Sequence, residues 1–295
     1  MNDFQQIINK DTDPERWELW SSQRLAVKDL FDKVLQSNDI TERIGIVGAG
    51  NCDDLNLEYL ASKCKELVLF DIDYQSMQMA LEKLDVSTRS KITLVEVDIT
   101  NLNSMDFYHQ FETIVSENQS PKKVIKFLVT AANELKANNL IMEKYRESFD
   151  IVACSAIYSQ LFYNWALFKL DELGSYSNSD FIKILEKGLV YLRNKTVNIC
   201  NDELYKIANI NAGIVCWADL FEMEQSDYSV IKKNDVNSLI PLFKRKGIQA
   251  SLKGIQGINS KMDEFIVMRD WVWHFSDNKS YFCRGLVGRG KVIKD

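Results

Sequence analysis

Short apolar runs alternate with longer amphipathic stretches along most of this chain. Ile44, Ile46 and Val47 give residues 43–48 a nearly continuous apolar run that ends at glycine, the pattern of a strand buried on both faces. Similar runs recur at 66–71, 91–98, 149–155 and 214–220. Between them the apolar spacing turns helical. A helix is expected over roughly 53–64, with Asp53 or Asp54 suited to cap its start. Another is expected over 74–84, where Met77, Leu81 and Leu84 fall on one face. Phe107–Val115 and Val124–Leu135 read as helices, residues 156–210 are read as helical throughout, and a further helix lies near 235–247. Two final strands, Phe265–Phe275 and Ser280–Val287, flank the short polar link Ser276-Asp277-Asn278-Lys279, which reads as a hairpin turn.

Strand–helix alternation predicts an α/β fold: a seven-stranded, mostly parallel sheet with helices on both faces and ligands at the carboxyl strand ends. The closing hairpin adds a reversed C-terminal strand. Residues 1–41 precede the first strand and form an N-terminal helical extension, in which Trp17, Trp20, Leu25, Leu30, Phe31 and Leu35 are spaced to share one face. Residues 42–295 then form one domain, with helical insertions near 101–148 and 156–210. Such helical mass over the carboxyl ends suggests an enclosed pocket, and the extension carrying Trp17, Trp20 and Arg24 is a candidate lid.

Composition narrows the partners. The 295 residues are 46% hydrophobic and 26% charged, with a net charge of −6, and basic residues cluster only at Lys244-Arg245-Lys246 and in the tail from Arg284. Duplex nucleic acid calls for a basic stripe, so it is disfavoured as a partner. The six cysteines form no CxxC pair and several sit in apolar runs, which reads as buried free thiols. With only two histidines, no metal site is expected. The polar N-terminus lacks a signal sequence and no apolar run reaches membrane-spanning length, so a cytoplasmic location is expected.

The chemistry is concentrated at the strand ends. Gly48-Ala49-Gly50-Asn51 follows the first strand, Asp71 ends the second and Asp98 ends the third. Glycines admit a ligand close to the backbone, and a carboxylate one strand over can accept both hydroxyls of a ribose. On these residues the chain resembles the class I S-adenosylmethionine-dependent methyltransferases over roughly 43–290. The resemblance implies that Gly48, Ala49, Gly50 and Asn51 wrap the methionine part of S-adenosylmethionine and that Asp71 binds the ribose. It also implies that Asp98 meets the adenine amino group beside Ile72 and Ile99, and that Cys154 and Ser155 open the wall where donor and acceptor meet. Cys52 stands where the turn's third glycine would be, and Ile46 where an acid often lies two residues before the first.

The alternatives are an NAD(P)-dependent oxidoreductase, because G48-A-G50-x-x-D53 approximates a dinucleotide fingerprint, and a cofactor-binding protein without transfer activity. The missing third glycine, the lack of a role for Asp98 and the closing hairpin weigh against hydride transfer. The expected acceptor is an oxygen or nitrogen of a small molecule, natural product or peptide. Ser155-Ala156-Ile157-Tyr158 lacks the prolines that the resemblance would require for methylation of nucleobases or amides. Tyr158, Gln160, Tyr163 and Asn164 follow the fourth strand and are candidates to line the acceptor pocket, and Glu222 and Asp219 are candidates for a base or for binding a cationic acceptor. His274 should lie on the strand face opposite Trp271 and Trp273.

Overall fold

The computed structural model describes residues 15–35, 40–117, 120–172, 179–231 and 236–290. Seven strands form one sheet: β1 Thr41–Val47, β2 Cys64–Asp71, β3 Ile92–Glu96, β4 Phe149–Ser155, β5 Ala208–Glu222, β6 Glu264–Ser276 and β7 Lys279–Arg289. Their order across the sheet is β3-β2-β1-β4-β5-β7-β6. The β1–β5 pairs are all parallel, and β7 runs antiparallel to both β5 and β6. Val47 is level with Phe70 on one side and Cys154 on the other, so the turns leaving β1, β2 and β4 emerge together.

The strands are held by apolar layers on both faces. On one face Val68, Phe70, Val152, Cys154 and Cys216 pack against the helices Ser179–Ile207 and Gln249–Lys261. On the other, Ile44, Ile46, Leu67, Leu69, Val215 and Trp217 meet Val27, Leu30 and Phe31 of the helix Ser21–Phe31. A third cluster lies within the insertions, where Phe107, Phe111 and Trp165 join Leu185 and Leu189. All six cysteines are buried and unpaired. No helix among the described residues is long and apolar enough to cross a membrane.

Several expected boundaries move, for local reasons. The helix expected from residue 53 begins at Leu57, because Asn56 accepts the Tyr59 amide as its N-cap. Asp53 and Asp54 instead belong to a series of turns, with Cys52 N–H on Ala49 and Leu55 N–H on Cys52. β3 stops at Glu96, leaving Asp98 in the turn beyond it. Residues 208–210, read as helical, are the start of a longer β5. The helix Gln249–Lys261 was not expected; its exposed polar positions dilute the periodicity that Ala250, Ile255 and Ile258 bury.

The N-terminal segment is two helices, Arg16–Leu19 and Ser21–Phe31, broken at Trp20, whose φ of −88° and ψ of 11° leave the helical range. The break divides the expected apolar face. Trp20, Leu30, Phe31 and Leu35 are buried, whereas Trp17 and Leu25 are 48% and 60% exposed. Residues 1–14 of the expected extension lie outside the described residues.

Candidate functional site

A cleft opens at the carboxyl ends of β1, β2 and β4, and the turns leaving these strands build it. Gly48 N–H donates to the Phe70 carbonyl at 2.8 Å and turns the chain away from β1 with φ +82°. A Cβ on Gly48 would lie 1.7 Å from Ile157 Cγ2, so only glycine fits there. Gly50, φ +52°, is the converse: a Cβ there would meet nothing within 4 Å and would project into open space. Cys52 also has positive φ, +59°, so the missing glycine's left-handed backbone is retained by a residue for which it is strained by roughly 1–2 kcal/mol. Ala156, φ +41°, carries the same kind of strain at the exit of β4.

Asp71 ties two of these turns together. Its Oδ2 accepts Gly50 N–H at 2.8 Å and its Oδ1 accepts Asp73 N–H at 2.9 Å. Burial raises its pKa while these amides oppose the rise. Each oxygen retains a second acceptor position. Asp98 is held in the same way: Oδ1 accepts the amide and hydroxyl of Thr100 and Oδ2 accepts Asn103 N–H. Asn139 Nδ2 donates to the Asp98 carbonyl at 2.9 Å, anchoring that turn from a distant insertion. Ile72, Ile99, Val97 and Phe70 supply apolar walls between the two acids.

The opposite wall comes from elements far apart in sequence. Asp54 lies at the cleft with Ser155, and its Oδ2 accepts Ser155 Oγ at 3.3 Å and Trp217 Nε1 at 3.2 Å. Burial raises this carboxyl to about 6. Trp20 and Arg16 of the N-terminal segment and Trp273 and Phe275 of β6 complete the wall, with Gln160 and Leu161 beyond β4. Trp20 is fixed by donating Nε1–H to the Phe275 carbonyl and by an edge-on contact with Trp273 at 4.7 Å. Arg24 secures the segment to the glycine turn by donating to the Asp53 carbonyl at 2.9 Å. The Arg16 guanidinium approaches the Asp53 carboxylate at 3.7 Å.

Gly48, Ala49, Gly50, Asn51, Asp71, Ile72, Asp98, Ile99 and Ser155 all line this one cleft. Cys154 does not; it belongs to the core on the far face of the sheet. Of the acceptor-side candidates, Gln160 lines the cleft, exposed Asn164 donates to the Ser159 carbonyl, and the others lie elsewhere. Tyr158 is fully buried, donating to Asn201 Oδ1 at 2.6 Å, with its ring under Gly254. Tyr163 is partly buried against the insertion cluster beside Arg193. Glu222 is exposed and pairs with Lys279 at 3.5 Å. Asp219 is buried near the end of β5, accepts Ser159 Oγ at 2.9 Å and is pushed by burial up to about 7. His274 is exposed on the face opposite Trp271 and Trp273 and meets Ser280 at 3.1 Å. Asp54 carried no signal beyond a possible helix cap, because its partner Trp217 lies 163 residues away.

The reversed β7 between β5 and β6, together with the glycine turn and two acids gathered at one sheet end, decides the fold. It is the class I methyltransferase fold. No family model and no curated protein matches the chain. Solved structures similar to it include a SAM-dependent methyltransferase from Methanosarcina mazei, at 10% identity over 88% of this chain and 96% of that one, with a TM-score of 0.44. A 16S rRNA adenine N1-methyltransferase from Catenulisporales acidiphilia is 9% identical over 97% and 95% of the two chains, with a TM-score of 0.38. A structure concerned with conversion of a disulfide bond into a thioacetal group during echinomycin biosynthesis is 10% identical over 90% and 81%, with a TM-score of 0.45.

Proposed function

We propose that this protein is an S-adenosylmethionine-dependent methyltransferase acting on an oxygen or nitrogen of a small molecule or peptide. The observation that carries the reading is the convergence of the Asp71 and Asp98 carboxylates on the cleft that the glycine turn borders. Asp71 would hold the ribose hydroxyls through its unused acceptor positions, and Asp98 the adenine edge between Ile72 and Ile99. The open side of Gly50 leaves room for the amino-acid end beside the turn. When bound, the cofactor supplies a methyl group already activated on a sulfonium, so the protein's task is to align the acceptor and exclude water.

The geometry of the turn separates this reading from hydride transfer. A dinucleotide's pyrophosphate sits on a helix N-terminus directly after the glycine turn. Here the helix begins only at Leu57, with Asn56 as its cap, so no helix N-terminus follows the glycine turn directly.

Titration calorimetry with S-adenosylhomocysteine and with NADH tests the proposal. Binding of S-adenosylhomocysteine alone is expected. Binding of NADH alone would overturn the reading.

A further inference from the structure

The cleft has a second half that the cofactor residues leave unused. Both side-chain donors to Asp54 reach the same oxygen, Oδ2. No side chain among the described residues donates to Oδ1, although Asp54 is only 8% exposed and lies on the cleft. Trp273, also on the cleft and 7% exposed, has a buried Nε1–H with no acceptor among the described residues. One wall of this half is therefore aromatic, with Trp20, Trp273 and Phe275 packed at 4.7–5.2 Å between centroids. Arg16, the cation in the cleft, is already engaged by Asp53 and lies 5.1 Å over the Trp20 ring. An unspent acceptor beside flat apolar rings defines the chemistry of an occupant.

The geometry points to a ring-bearing acceptor: an aromatic or heteroaromatic compound whose nucleophilic N–H or O–H is held by Asp54 Oδ1 against the Trp20–Trp273–Phe275 wall. This assignment rests on the methyl-transfer reading. An aliphatic ammonium beside a carboxylate would keep its proton and offer no lone pair, whereas an aryl O–H or ring N–H reaches the site neutral. The acceptor's lone pair forms the new bond to the methyl carbon while the carbon–sulfur bond breaks, its electrons staying on sulfur. The acceptor's proton passes to Oδ1 and then to water.

The surroundings of Asp54 suit that duty. It faces Asp53 and Cys52 of its own turn, Arg24 of the N-terminal helices, Ser155 of β4, Trp217 of β5 and Cys283 of β7. Burial holds its carboxyl at about 6, so it is ionised at neutral pH and still a competent proton acceptor.

Calorimetry with catechol and indole, against non-planar 1,2-cyclohexanediol, tests the site in protein with and without S-adenosylhomocysteine. Catechol or indole should bind at least tenfold more tightly than the diol. Asp54→Asn, shown to be folded by circular dichroism, should weaken catechol and indole at least tenfold; unchanged affinity for both would overturn the assignment. Trp217→Phe, which removes one donor to the carboxylate, should move the pH at which catechol binding is half lost upward from about 6. Equal binding of the diol, or an unchanged pH midpoint in folded Trp217→Phe, would overturn the assignment. If catechol binds as expected but S-adenosylhomocysteine does not, the cofactor reading fails and the ring subsite stands.

Discussion

The buried acids on the two sides of the sheet's carboxyl edge are held in different ways. At the β2 and β3 ends, Asp71 and Asp98 each receive two or three hydrogen bonds, mostly from backbone amides of the turns beside them. At the β4 and β5 ends, Asp54 and Asp219 are held by side chains brought from distant parts of the chain: Ser155, Trp217 and Ser159. Burial raises the pKa of all four, these last two to about 6 and about 7. An acid held by the amides of its own turn is fixed locally, as a binding post requires. An acid held by distant side chains depends on how those elements pack, and at about 6 or 7 it can take up a proton near neutrality.

The largest expected effect is at the residue joining the halves. Gly48→Ala forces a Cβ into Ile157 and toward the Ser155 carbonyl from a left-handed backbone. It should cost roughly 3–5 kcal/mol by urea denaturation and disturb both halves together. A loss near 1 kcal/mol would mean that the β4 exit yields and the halves are not rigidly linked.

Next comes the buried Asp219. Its folded pKa lies near 7, above the ordinary 3.8, so the folded protein binds the extra proton and stability is full below about pH 4. That stability is lost as pH rises from about 4 toward 7, by up to about 4 kcal/mol. Asp219→Asn should remove the loss, so the variant gains on the parent steadily across that window. Parallel stability curves for the two proteins would show that Asp219 titrates alike in the folded and unfolded chain.

Asp71→Ala removes the acceptor of two turn amides and should cost roughly 1–3 kcal/mol. Its S-adenosylhomocysteine affinity should also fall at least tenfold in calorimetry; unchanged affinity would refute the ribose contact. Gly50→Ala is the smallest change. With no neighbour near the added Cβ, only backbone strain of roughly 1 kcal/mol is expected in the free protein. Cofactor affinity should drop far more than stability, because the methyl group enters the cleft.

Legibility follows the same division. The glycine turn, Asp71 and Asp98 were visible because strand ends in a parallel sheet are marked by where apolar runs stop. The pocket expected from Tyr158, Tyr163 and Glu222 was placed by nearness in sequence to β4 and β5. The helices packed over β4 carry Tyr158 and Tyr163 into apolar clusters, and β5 ends with Glu222 in solvent. Trp20 was readable as a docking residue; its contact with Trp273 joins elements more than 250 residues apart.

The sequence by itself determined the seven strands, the reversed closing strand and the acids at the cofactor end. These depend on periodicity and on turn chemistry within a few residues. Tertiary structure alone decided the other wall. It kept a left-handed backbone at Cys52, left Asp54 Oδ1 and Trp273 Nε1 without side-chain partners among the described residues, and brought the N-terminal helices over the cleft. A buried polar group's state depends on which distant donors the packing delivers, and no local pattern encodes that.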